Sequence, residues 1–86
     1  MNDEIELTKQ YCLDNCILSG CSPKTINATL HYLKDYNTSN HRKQDDVSKE
    51  YGVSTVALRN NVHKIIRSEH LTEIKKLIGN NNIERG

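Results

Sequence analysis

The sequence predicts an all-α domain of about five helices, and three observations carry that prediction. Apolar residues recur at helical spacing. Ser, Pro and Gly stand where helices begin and end. No run alternates apolar and polar residues as a half-buried strand would. The 86 residues give room for one domain with one modest core, because small chains bury a smaller share of their surface. The expected organisation is a single helical domain over 1–79, with a helix-turn-helix at 44–67, and a flexible tail over 80–86.

The first helix is expected from Asp3 to Leu18, a stretch without a breaker. Ile5, Cys12 and Cys16 share one face, Leu7, Tyr11 and Leu18 form a second stripe, and Ser19-Gly20 closes the helix with Gly20 as the C′ residue. Ser22-Pro23 opens the second helix, Ser as N-cap and Pro at the first helical position, where its missing N–H costs nothing. Ile26, Leu30 and Leu33 make one stripe there and Ala28 and Tyr32 lie on the other side, so enclosure on more than one face is expected up to about Tyr36. Asn37-Thr38-Ser39-Asn40 is turn chemistry. Leu71, Ile74, Leu77 and Ile78 predict a short last helix ended by Gly79, and Asn80 to Gly86 offers nothing to bury.

Charge distribution says more than the net charge of +1. Residues 1–35 carry Lys9, Lys24 and Lys34 against Asp3, Glu4, Glu6, Asp14 and Asp35. Residues 41–68 carry Arg42, Lys43, Lys49, Arg59, Lys64 and Arg67 against Asp45, Asp46 and Glu50. One surface can therefore face phosphate while the molecule stays near neutral. No stretch approaches the roughly 20 apolar residues of a membrane span, and the acidic start differs from a signal peptide, so a cytoplasmic, nucleoid-associated protein without membrane contact is expected.

Cys12, Cys16 and Cys21 are too few and too clustered for a disulfide framework, and their spacing does not suit zinc; they read as small apolar core residues. His31, His41, His63 and His70 lack metal-like grouping and read as surface residues, with His63 a candidate DNA contact. Asp45-Asp46 sits in the first turn of a helix, where carboxylates favour the positive dipole end, which explains the pair better than catalysis does. There is no Gly-rich phosphate loop and no nucleophile–base arrangement, so neither an enzyme nor a cofactor is expected.

The segment from Gln44 to Arg67 is the informative one. A helix-turn-helix needs two helices crossing closely through a short turn. Ser48 is small enough for close approach, Gly52 tolerates positive φ, Val53 can plug the turn, and Ser54 can cap the second helix. Leu58, Val62, Ile65 and Ile66 point one way, toward a core. Val56, Asn60, His63, Lys64 and Arg67 lie away from that stripe, with Arg59 at its flank, and no acidic residue occurs between Ser54 and Ser68. Such a helix can enter a major groove without repelling phosphate, its first residues near base edges and its later ones near the backbone. Arginine pairs with guanine, asparagine with adenine, and a small apolar group touches a thymine methyl. Thr55, Val56, Arg59, Asn60, His63, Lys64 and Arg67, with Arg42 and Lys43, are the candidate DNA-binding residues. Lys64 and Arg67 are expected on phosphate.

Ser19-Gly20-Cys21-Ser22-Pro23-Lys24, followed by an apolar helix, resembles the S-G-x-S-P segment of the transcription factor IIB family, including archaeal transcription factor B. Gln44-Asp45-Asp46-Val47 resembles that family's T-Q-x-x-V/I segment, and Tyr51 to Asn60 resembles its A-G-V-T-E-V-T-I-R-N. The resemblance covers roughly Ile5 to Arg67 and implies a truncated second cyclin-like repeat containing a helix-turn-helix. In that family the helix-turn-helix reads a promoter element flanking the TATA box through the major groove, and the base-touching valine and arginine match Val56 and Arg59. The small positions of the family's preceding helix match Cys12 and Cys16, in keeping with the core reading.

Departures are equally clear. The zinc ribbon, the segment reaching into the polymerase cleft, the first repeat and the first helix of the second repeat have no counterpart in these 86 residues, so a repeat standing alone is expected. Lys43 stands where the family has a capping threonine, and Asn61 replaces a basic residue, with an expected loss of phosphate affinity. The last helix is expected to complete the core or to make a dimer contact. The leading expectation is a transcription regulator that binds double-stranded DNA, with a homodimer on two half-sites among its expected states. The competing one is a protein-interaction module that binds TATA-binding protein, polymerase or factor B without base readout.

Overall fold

The structure, a computed structural model, describes residues 3–18 and 20–83. It is all-α, with α1 (Asp3–Asp14), α2 (Pro23–Lys34), α3 (Gln44–Tyr51), α4 (Thr55–Ile66) and α5 (Leu71–Ile78), and no strand among the described residues. None of these helices is long and apolar enough to cross a membrane.

The arrangement follows from α2. Ser22 caps it, its hydroxyl accepting from the Thr25 N–H at 3.2 Å, and Pro23 occupies its first turn. Ile26, Ala28, Thr29, Leu30, Tyr32 and Leu33 are all buried, so the helix is enclosed on several faces, as its two apolar stripes predict. It packs against each of the other four helices. The pair α1 and α5 lies against it, contributing Ile5, Cys12, Leu71, Ile74 and Ile78 to the core. The pair α3 and α4 also packs on it, contributing Val47, Leu58, Val62 and Ile65. The last helix thus completes the core, one of the two roles expected of it.

Three helices end on a left-handed residue. Gly52 (φ 67°) closes α3, with the Val53 N–H bonded to the Ser48 carbonyl at 2.9 Å and Gly52 N–H directed at Lys49 O. This is a Schellman ending, which satisfies carbonyls the helix cannot use itself. Gly79 (φ 77°) closes α5. The third differs from expectation. The first helix stops at Asp14, and Cys16 (φ 55°) takes the C′ position, with Ile17 N–H on Cys12 O at 3.0 Å and Cys16 N–H on Leu13 O at 3.3 Å. Asn15 supports the stop, its side-chain amide donating to the Tyr11 carbonyl at 2.9 Å. Cys16 is therefore exposed rather than core, while Cys12 is buried and Cys21 half-buried. Leu7 is also outside the core, 59% exposed, and Leu13 is 51% exposed. The chain then turns inward again at Leu18, which is buried; Gly20 has positive φ in the following loop, and Ser19 lies outside the described residues.

The segment after Gly79 does have something to bury. Asn80 is buried and its side-chain amide donates to the Leu33 and Tyr36 carbonyls at 2.8 and 2.9 Å, bringing donors to the point where α2 ends at Lys34 and its own backbone supplies few. Ile83 is fully buried. Residues 84–86 of the expected tail lie outside the described residues.

Of the four histidines expected at the surface, His41 and His63 are exposed, while His31 and His70 are half-buried. His31 stacks on Tyr51 with ring centroids 5.2 Å apart, His70 Nδ1 lies 2.9 Å from the Tyr11 hydroxyl, and His41 sits against the rings of Tyr32 and Tyr36. Only His63 of the four has no such aromatic contact among the described residues. The others pack through the apolar body of the ring, and His41 and His70 also use a ring nitrogen as a polar tip.

Candidate nucleic-acid interface

Ser54 starts α4, its hydroxyl accepting from the Ala57 N–H at 3.0 Å, and the αL residue Gly52 sets the bend before it. Ser48 is buried at the crossing of α3 and α4. Its hydroxyl lies 2.9 Å from the Asp45 carbonyl and 3.0 Å from the Thr55 hydroxyl, so the small residue at this position both permits the approach and ties the helices together. With Leu58, Val62 and Ile65 anchored in the core, the opposite face of α4 must point outward.

That outer face carries Val56, Arg59, Asn60, His63, Lys64 and Arg67, all exposed. Val56 is 56% exposed, placing an apolar side chain on the outward face. The positions from Val56 to Arg67 run about 17 Å along the axis at 1.5 Å per residue. Asn60, His63, Lys64 and Arg67 line a shallow depression on the surface. Among the described residues no ion pair engages Arg59, Lys64 or Arg67, so three positive charges stand unneutralised along one helix.

Other expected positions behave differently. Thr55 is half-buried and turned onto α3, its hydroxyl 3.2 Å from an Asp45 carboxylate oxygen. Arg42 is bound to Glu50, so its charge is already partnered. Lys43 is the exposed N-cap of α3 and makes no side-chain capping bond. Asn61 faces inward, 3% exposed, with its Oδ1 accepting from the Cys21 thiol at 3.3 Å and its Nδ2 without a partner among the described residues. Position 61 is thus a packing position.

Two charged residues close to the start of α4 were not legible as its neighbours. Asp45 belongs to α3 in sequence, yet its carboxylate reaches the first residue of α4. The run from Ser54 to Ser68 is acid-free along the chain but not in space. Lys24, in the first turn of α2, brings its Nζ to 3.6 Å from where a β-carbon on Gly52 would sit. Nothing in the spacing of residues 24 and 52 announces that approach.

Among the described residues no group of three or more His, Cys, Asp or Glu is arranged to hold a metal. Burial pushes the Cys12 thiol up to about 11, which keeps it protonated and unreactive. Compared with known protein families, curated proteins and solved structures, the chain matches none.

Proposed function

We propose that this protein is a DNA-binding transcription regulator, resembling one transcription factor B cyclin-like repeat, that reads the major groove with residues 55–67. The observation that carries this reading is the outward face of α4, which holds Arg59, Lys64 and Arg67 without ion-pair partners among the described residues, beside exposed Val56 and Asn60. Unpaired cations cost little in water and gain by releasing condensed counterions from DNA. No chemistry is performed; recognition is insertion. Val56 and Asn60, one turn apart near the start of α4, face base edges together with Arg59, while Lys64 and Arg67 hold phosphate. Thr55 acts through its bond to α3 rather than on a base.

Binding selection on random-sequence duplexes tests the reading, since it reports affinity, motif and symmetry together. Arg59→Ala should then cost about 1–3 kcal/mol and relax preference at one base pair. An equal loss on all sequences would remove base readout. The second reading, a protein-interaction module for TATA-binding protein, polymerase or factor B, is favoured by Leu7 and Leu13, both exposed on α1. An NMR titration separates the two: duplex DNA should shift residues Val56 to Arg67, and a protein partner should shift α1.

A further inference from the structure

We propose that Lys24, on a helix outside the helix-turn-helix, is a phosphate contact that holds the DNA backbone at the N-terminal end of α4. This rests on the DNA-binding reading and extends its footprint to a second part of the fold.

The geometry starts at the bend. Gly52 lies three residues before α4, and the Lys24 ammonium stands beside it, 3.6 Å from its β-carbon position. Lys24 is exposed, and no ion pair engages it among the described residues. Lys64 and Arg67 mark the other end of the same helix. A 12-residue helix is about 18 Å long, and the major groove is about 12 Å wide. A helix seated in the groove therefore brings its two ends near opposite backbones. With Lys24 at one end and Lys64 and Arg67 at the other, cations flank the groove on both sides, and Arg59 lies between them over the bases. α2 packs directly on α4, with Leu30 and Leu58 both buried, so the backbones that carry Lys24 and Lys64 are held in one core.

Lys24 has one other role open to it, as a cation near the carbonyl end of α3, where the helix dipole favours positive charge. That role would show in stability rather than in salt dependence. The test compares wild type, Lys24→Gln and, as a control on a different helix, Lys9→Gln. Each is titrated with the best duplex from the random-sequence selection over a fourfold range of salt, and each is melted without DNA. If Lys24 holds a phosphate, the slope of log K against log salt becomes shallower by about 0.9 in Lys24→Gln, so this variant loses about threefold less affinity than wild type across the range. Its ranking of duplex sequences stays the same, and Lys9→Gln matches wild type. A Lys24→Gln slope equal to wild type overturns the inference, with or without a lower melting temperature, while leaving the DNA reading intact. Absence of wild-type binding to any duplex removes both.

Discussion

At the scale of single residues, two positions show how environment sets the contribution of a side chain. Cys16 occupies the same Schellman position that glycine fills at Gly52. A β-carbon in the left-handed region costs roughly 1–2 kcal/mol. Cys16→Gly should therefore stabilise the protein by about 1 kcal/mol in chemical denaturation, after allowance for the greater freedom of glycine in the unfolded chain. His31 illustrates charge. Burial against Tyr51, with Lys34 and Arg42 nearby, lowers its pKa below the usual 6.5. As pH falls through about 6.5 the unfolded chain takes up this proton before the folded one does, so stability is lost from that pH downward until the folded ring also protonates. Unfolding curves of wild type and His31→Gln should converge as the pH is lowered through this window. A stability difference that does not change with pH would exclude the assignment.

Among the elements, the C-terminal end of α2 is held by a residue from beyond α5. α2 stops at Lys34, and the carbonyls of Leu33 and Tyr36 take donors from Asn80, which reaches them from beyond α5. Each such bond contributes about 0.5–1.5 kcal/mol, more where loss leaves a buried group unsatisfied. Asn80→Ala should cost about 2 kcal/mol, seen as a lower Tm, whereas Asn81→Ala, at an exposed position next to it, should cost little. Equal melting temperatures for the two variants would show that the cap is dispensable. The same logic explains why the chain past Gly79 looks featureless in sequence. A lone Ile83 among asparagines has no periodicity, and the acceptors that Asn80 satisfies lie more than 40 residues away.

For the molecule as a whole, the question is which charges the fold assembles around α4. Folding brings Lys24 beside the bend at Gly52 and Asp45 beside Thr55, both at the N-terminal end of α4, and these two charges act in opposite directions on a polyanion. Asp45→Asn keeps an acceptor for the Thr55 hydroxyl while removing a negative charge at the start of α4. On the DNA-binding reading, this variant should bind duplex roughly two- to fivefold more tightly at low salt, with the gain fading as salt screens the charge. Fluorescence anisotropy at two ionic strengths measures it, and a gain that persists at high salt would mean that the introduced amide makes a new contact instead.

Local chemistry made most of the architecture legible. Ser22-Pro23 and Ser54 name helix starts, Gly52 and Gly79 name helix ends, and the spacing of Leu58, Val62 and Ile65 tells which side of α4 is buried and hence which side is left outward. These features depend on neighbours within about one helical turn, so a single chain suffices to read them. The inward turn of Asn61, the Asn80 cap and the positions of Lys24 and Asp45 beside the start of α4 were settled only by packing. Most of these join residues on different elements, and the distance between elements is fixed by how their buried faces interlock, which no pattern along one segment encodes.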